Sequence, residues 1–232
     1  MDARRSVAVG AGTALIGTLA SGPLGVWLVR ATHPQPAWRD AETFVRSYHD
    51  VQVLPYFAGL FLVGGFVGLI AGLHGLAPER LRFRTTCALA FVAAFAAMIF
   101  TNYAIQTTFV PALVKYGSAR DEPLISALTM WNPRSLGWAL EMWGYALLGV
   151  ATWFTAPVFS TSGLERLTGV LFTLNGFVSI ATALATAFHP GWVMTGTGLA
   201  SFVTWNILIV AMTALALVAM RARRPDSPQA FR

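Results

Sequence analysis

The stretch Leu136-Gly137-Trp138-Ala139-Leu140-Glu141-Met142-Trp143-Gly144-Tyr145 opens an apolar run that continues to Phe159. The run is long enough to cross a bilayer, and it carries a carboxylic acid. By hydropathy, Glu141 is the only acidic residue inside any long apolar segment of the chain. A carboxyl group in hydrocarbon is costly, so it normally faces a bundle interior or a polar cavity, and it is a functional-site candidate by default.

The rest of the sequence agrees with a membrane setting. Of 232 residues, 56% are hydrophobic and only 11% are charged, with a mean hydropathy of +0.60. Soluble domains carry about 25% charged residues. Runs of roughly 20 apolar residues, each sufficient for a hydrocarbon core of about 30 Å, fall at Val7–Val29, Val53–Gly75, Thr86–Val110, Leu136–Phe159, Leu167–Phe188 and Gly196–Met220. Lipid offers no partner to free backbone N–H and C=O groups, and the even hydrophobicity of these runs lacks the alternation of a barrel strand. The expectation is an all-α polytopic membrane helix bundle of about six transmembrane helices. Residues 1–220 would form one bundle, and residues 221–232, with Pro225 and Pro228, a flexible cytoplasmic tail. No internal repeat is apparent.

The net charge of +6 does not point to nucleic acid, because the basic residues sit at the ends of the apolar runs. Arg4 and Arg5 precede the first run, and Arg80, Arg82 and Arg84 separate the second from the third. Arg166 separates the fourth from the fifth, and Arg221, Arg223, Arg224 and Arg232 follow the last. The other connections are longer and mix Arg30, Arg39, Arg46, Lys115, Arg120 and Arg134 with Asp40, Glu42, Asp50, Asp121 and Glu122. Basic residues in short loops mark the cytoplasmic side, so both termini are expected there. Arg4-Arg5 before an apolar stretch also fits a secretory leader. However, the run passes through Pro23 to Val29 without a strong small-residue cleavage site, which favours a retained first helix. Cys87 is the single cysteine and offers no intramolecular disulfide or cysteine metal site.

In the first outer connection, Trp38, Ala41, Val45 and Tyr48 recur at helical spacing between charged residues, which predicts a short interfacial helix. It reads either as a plain connector or as a lid over a cavity opening outward. Pro111–Pro133 is similar but less patterned. Pro23 and Pro157 are potential kinks. Gly64, Gly68 and Gly72, beside Gly65, form a small-residue ridge suited to close helix packing.

The polar residues inside the runs carry the functional reading. Asn102 and Gln106, four apart, share a helix face, as do Trp138, Glu141 and Tyr145. Asn175, Trp205 and Asn206 lie midway along the fifth and sixth runs. At about 1.5 Å per helical residue, Gln106 and Glu141 fall roughly 6–8 Å from the outer ends of their helices, with the three asparagines deeper. A single polar cluster in the outer half of the bundle is therefore geometrically allowed. Asn and Gln also act as plain interhelical hydrogen-bond glue, and Glu141 bonded to Asn102 or Asn206 would then only fix helix register. Trp143 and Trp153 fit packing or an interfacial belt equally well.

Histidine gives no haem or metal site: His74 and His189 lie at opposite helix ends, His33 and His49 lie in the outer loop, and no H-E-x-x-H spacing occurs. Phosphate-binding glycine motifs are also missing. Neither a metal nor another cofactor is expected. Apolar surroundings disfavour a charged carboxylate, which suits Glu141 to donate a proton. Trp and Tyr faces stabilise positive charge. An acid inside an aromatic wall suits protonation of an epoxide or alkene in a prenyl chain, followed by carbocation cyclisation.

Three stretches carry a resemblance: Thr101-Asn102-Tyr103-Ala104-Ile105-Gln106-Thr107-Thr108-Phe109-Val110-Pro111, Trp138-Ala139-Leu140-Glu141-Met142-Trp143-Gly144-Tyr145 and Leu167-Thr168-Gly169-Val170-Leu171-Phe172-Thr173-Leu174-Asn175-Gly176. They look like small actinobacterial multi-pass membrane proteins of unknown function. In size, span number and isolated acids the chain also resembles the integral-membrane terpene cyclases of meroterpenoid and indole-terpenoid pathways. That resemblance implies a multi-pass protein of the bacterial cytoplasmic membrane, acting as an isomerase or lyase on a lipophilic terpenoid. Glu141 would be the acid and Asp50 or Glu42, at the outer mouth, its partner. Asn102, Gln106, Trp138, Tyr145, Asn175, Trp205 and Asn206 are expected to line the substrate site. The alternatives are a proton- or cation-coupled small transporter and a non-catalytic membrane scaffold.

Overall fold

The computed structural model describes residues 2–222, and every regular element among them is helical. In chain order these are α1 (Ala3–Ser21), α2 (Pro23–Thr32), α3 (Ala41–Ser47), α4 (Leu54–Leu76), α5 (Arg82–Ala104), α6 (Val110–Tyr116), α7 (Glu122–Leu128), α8 (Leu136–Thr155), α9 (Gly163–Phe188) and α10 (Gly196–Ala222). Five segments are long and apolar enough to cross a membrane: 3–32, 50–76, 79–116, 163–188 and 196–222. The sixth long helix, α8, is not among these five, and it holds Glu141 and three tryptophans. Its 20 residues still extend about 30 Å, the thickness of a hydrocarbon core. The protein is a polytopic all-α membrane bundle.

Contacts between neighbouring helices fix an up-and-down order. Gly10 of α1 lies against Leu69 of α4, and Val7 against Gly72. Asn102 of α5 meets Glu141 of α8, while Arg84 at the other end of α5 meets Trp153. Trp153 in turn meets Thr173 of α9. One end of the bundle carries the short connection with Arg80, Arg82 and Arg84 (the basic end). The opposite end carries α3, α6 and α7 (the loop end). A continuous core of Phe66, Phe95, Phe172, Ile99, Leu148, Ile209 and Met212 draws on α4, α5, α8, α9 and α10.

Several boundaries differ from the sequence reading, each for a local reason. The first span breaks at Gly22, because Pro23 opens a new helix and has no N–H to continue the old one. The third span runs well past Val110 to Tyr116. Residues Ile105–Phe109 form a π-turn, in which the Val110 N–H bonds back to the Ile105 carbonyl, and this wider turn precedes the helix-interior Pro111. The fourth stops at Thr155, short of Phe159, where Pro157 sits in a tighter turn. The fifth begins earlier than Leu167 and takes in Glu165, which accepts hydrogen bonds from the Thr161 N–H at 3.0 Å and the Thr161 hydroxyl at 2.6 Å. Arg221 and Ala222 remain helical, and the rest of the expected tail lies outside the described residues.

The short helix expected in the first outer connection is α3. Asp40 caps it by accepting from the Thr43 N–H at 2.7 Å, which holds that carboxyl below the ordinary aspartate range. Ala41 and Phe44 are buried against Val110 and Ile125, so α3 packs on α6 and α7. A 2.9 Å bond from the Trp131 indole N–H to the Pro36 carbonyl and the Asp50–Lys115 ion pair fasten the same layer.

Close contact of α1 with α4 depends on glycine. A β-carbon on Gly72 would fall 2.6 Å from the Val7 nitrogen, and one on Gly65 would overlap the backbone of Ala14. The ridge in contact is therefore Gly65, Gly68 and Gly72, whereas Gly64 faces open space. We expect Gly65→Ala to destabilise the protein by about 1–3 kcal/mol through backbone overlap. Gly64→Ala should be neutral or stabilise by up to ~1 kcal/mol through helix propensity. Thermal unfolding in detergent, followed with a thiol-reactive dye on Cys87, reads both.

Candidate functional site

Glu141 lies just over one turn into α8 and faces α5. Its Oε2 accepts from the Asn102 side-chain amide at 2.9 Å, and its Oε1 accepts from the Tyr103 hydroxyl at 3.0 Å. The Tyr145 hydroxyl lies 3.4 Å from that of Tyr103. Spacing explains the convergence. Glu141 and Tyr145 are four apart on α8, and Tyr103 of α5 precedes Gln106 of the following π-turn by three, so both pairs point across the same helix interface. The ion pairs Glu42–Arg46, Glu79–Arg82 and Asp50–Lys115 lie elsewhere, and among the described residues no cation pairs with Glu141.

Asn102 and Gln106 serve more than the acid. The Asn102 amide also lies 3.1 Å from the Gly137 carbonyl and 3.2 Å from the Met130 sulfur. Gln106 donates to the Asn102 amide oxygen at 3.3 Å and to the Leu128 carbonyl at 2.9 Å, and it accepts from the Met130 N–H at 3.1 Å. Trp138 donates its indole N–H to the Met130 carbonyl at 2.6 Å. The backbone of residues 128–130 is thus gripped from three directions at the loop end, beside the carboxyl. The absence of a side chain at Gly137 makes room, since a β-carbon there would lie 2.7 Å from Met130 Cγ.

Aromatic rings enclose the other side. Tyr56 of α4 packs on Tyr103 with ring centres 5.4 Å apart, and Phe95 packs on Tyr145 at 5.3 Å. Trp205 of α10 meets Tyr145 edge-on at 4.6 Å. Gly59 admits the Tyr103 ring, which would lie 2.5 Å from a β-carbon at that position. Glu141, Tyr145 and Tyr103 are all buried. Two surface clefts, of about 480 and 410 Å³, lie along α2 and beside Arg84 and Trp153, and neither is lined by Glu141.

The structure brings together Glu141, Asn102, Gln106, Trp138 and Tyr145. Asn175 and Trp205 belong to an adjacent group. Asn175 donates to the Thr152 hydroxyl at 3.1 Å and accepts from Ser179 at 3.3 Å, and the Trp205 indole donates to the same Ser179 oxygen at 3.2 Å. The Tyr145–Trp205 ring contact joins the two groups.

Two expected residues lie apart. Asn206 donates to the Phe202 carbonyl of its own helix at 2.9 Å and presses on Gly22, because one residue of helical rotation turns it away from the Trp205 face and towards the α1–α2 break. Asp50 does not partner Glu141. Its side chain is 62% exposed and paired with Lys115 at 2.8 Å, because it lies in the turn before α4, on the capping layer. Glu42 likewise pairs with Arg46 at the surface. Tyr103, Met130, Tyr56 and Phe95 are site residues that the sequence reading missed. The (i, i+3) relation of Tyr103 to Gln106 was the available signal; Met130 lies in a connection with no periodicity to read.

No protein family, curated protein or solved structure matches this chain. The class is therefore defined by the fold and the site alone: a polytopic helical membrane protein with a buried carboxyl–tyrosine–amide cluster. Asn102→Ala strips a donor from the Glu141 and Gly137 oxygens and an acceptor from the Gln106 amide, and at about 1–3 kcal/mol for a buried group left unpaired it should lower thermal stability measurably. Asn206→Ala should stay within ~0.5 kcal/mol, as for surface changes, and the pair is read by the same thermal assay in detergent.

Proposed function

We propose that this protein is an integral-membrane cyclase of lipophilic prenyl or terpenoid substrates, with Glu141 as the proton donor. The observation that carries this reading is the composition of the site. A carboxyl held by a tyrosine hydroxyl and an amide, with no cation beside it, adjoins the rings of Tyr56, Phe95, Tyr103, Tyr145 and Trp205. Neutral donors orient the acid, and aromatic faces favour a carbocation by cation–π attraction. The π-turn at Ile105–Phe109, which contains Gln106, adds support, since such turns are frequent at functional sites.

In this mechanism the Glu141 proton passes to an epoxide oxygen or an alkene carbon. Opening the C–O bond, or protonating the double bond, leaves a tertiary carbocation. A neighbouring alkene attacks it, forming the ring C–C bond. The final cation loses a proton to the Glu141 carboxylate, so the acid is regenerated and the net reaction is an isomerisation. The substrate reaches the site laterally from lipid, and the chemistry calls on no metal or cofactor. The basic end and both termini would face the cytoplasm of a bacterial inner membrane by the positive-inside rule. Asp50 has no part in this scheme.

A proton-coupled carrier is a second reading, favoured by one observation. Polar groups run from Gln106 through Asn102, Glu141, Tyr103 and Tyr145 and, across a ring contact, to Trp205, Ser179 and Asn175. One experiment separates the readings: membranes with wild type, Glu141→Gln or Tyr103→Phe are incubated with prenylated epoxides and polyprenyl chains, and products are resolved by mass spectrometry. Glu141→Gln keeps both hydrogen bonds, with its oxygen facing Asn102 and its N–H facing Tyr103. It should nonetheless cut cyclic product at least about 100-fold, as expected for loss of a general acid. Tyr103→Phe should cut it about tenfold, the scale of one hydrogen bond. Undiminished product from Glu141→Gln removes the residue as the acid. Proton-dependent uptake into proteoliposomes without any product would establish the carrier instead.

A further inference from the structure

A second recognition feature lies at the opposite end of the bundle, independent of the chemistry at Glu141. There α5 starts with Arg82 and Arg84 in its first turn and with no acidic residue. A helix N-terminus is already electropositive, so two guanidinium groups there raise the local positive potential. Arg82 faces Glu79 at 3.7 Å, across solvent. Arg84 has no acidic partner among the described residues. It donates to the Trp153 carbonyl at 3.3 Å and stands 5.9 Å from the centre of the Phe154 ring.

Those contacts place Arg84 at the mouth of the 410 Å³ cleft lined by Trp153, Phe154, Pro157, Thr173 and Phe177. The walls are fixed. The Trp153 indole N–H is tied to the Thr173 carbonyl at 2.6 Å and its ring meets Phe177 edge-on at 4.7 Å, while Phe154 stacks on Phe91 at 5.8 Å. Thr173 and Phe177 are one turn apart on α9, so the cleft extends about 6 Å along that helix. Phe177 is 59% exposed on that path. A cation near the end of membrane-length helices, with an apolar aromatic surface cleft beside it, matches an amphiphile with an anionic head and a hydrocarbon tail.

We propose that this cleft is a specific seat for one anionic phospholipid, its phosphate paired with Arg84 and one acyl chain lying along Trp153 and Phe177. Basic pockets between membrane helices are suited to acidic headgroups. The planar guanidinium, already oriented by the Trp153 carbonyl, presents its remaining N–H groups as a fork to phosphate oxygens. Arg166, exposed on the first turns of α9 and not lining the cleft, contributes only to the general positive field.

The test uses the full chain in proteoliposomes doped with phosphatidylglycerol or phosphatidylcholine bearing brominated acyl chains, which quench tryptophan fluorescence on contact. The Trp153 signal is the difference between wild type and Trp153→Phe. The expected result is half-maximal quenching at a several-fold lower mole fraction of the anionic lipid than of the zwitterionic one. That preference should be lost in Arg84→Ala, partly kept in Arg84→Lys and unchanged in Arg166→Ala, with all variants monodisperse in detergent. Equal quenching by the two lipids in wild type, or a preference that survives Arg84→Ala, overturns the proposal. Relief of quenching by millimolar inorganic phosphate would show a bare anion site, and relief by an acidic peptide a protein-docking site; either also overturns the lipid assignment.

Discussion

The carboxyl of Glu141, held between two antiparallel helices by neutral donors, sets the arrangement of the loop end. A hydrogen bond in a low-dielectric interior is stronger than in water, and an unpaired polar group there is correspondingly costly. The Asn102 amide meets the Glu141 carboxyl, the Gly137 carbonyl and the Met130 sulfur together. Sliding α5 by one turn along α8 would strip these groups of partners simultaneously. The register of the two helices is thereby specified, and so is the seat of residues 128–130, whose backbone is held by Gln106 and Trp138.

The two ends of the bundle solve different problems. At the loop end, irregular backbone comes close to membrane depth, which is tolerated only where the protein itself satisfies the free groups. The side chains of Gln106, Trp138 and Ser135 do so, and the α3–α6–α7 layer covers them. At the basic end the helices terminate in arginines and short turns, and the packing there is aromatic, through Phe91, Trp153, Phe154 and Phe177. Between the ends, α1 and α4 approach through Gly65 and Gly72 closely enough to bring their backbones into contact. Such contact compensates for the missing hydrophobic drive between helices in lipid.

The placement of the polar residues separates reactive potential from simple cohesion. Asn175, Ser179 and Thr152 bond to one another, which is the behaviour of interhelical glue. Glu141 differs in kind. Its partners are a hydroxyl and an amide rather than a cation, and aromatic rings stand beside it. Those differences are why the proposed chemistry rests on Glu141 rather than on the Asn175 group; the other buried carboxyl, Glu165, lies in the first turn of α9, held by Thr161.

The sequence by itself determined the helical membrane architecture, because a run of about 20 apolar residues has only one way to satisfy its backbone in hydrocarbon. It also marked Glu141, and helical periodicity correctly put Asn102 with Gln106 and Glu141 with Trp138 and Tyr145 on shared faces. Periodicity within a helix says nothing about which face meets which neighbour. Tertiary packing alone decided that Tyr103 reaches the carboxyl, that Met130 returns from a loop to sit beside it, and that Asn206 turns towards Gly22 while its neighbour Trp205 turns inward. It also gave Asp50 a lysine from a distant part of the chain, 65 residues away, rather than a share in the site. Those outcomes depend on helix rotation and on contacts between distant segments, and neither is encoded in local spacing.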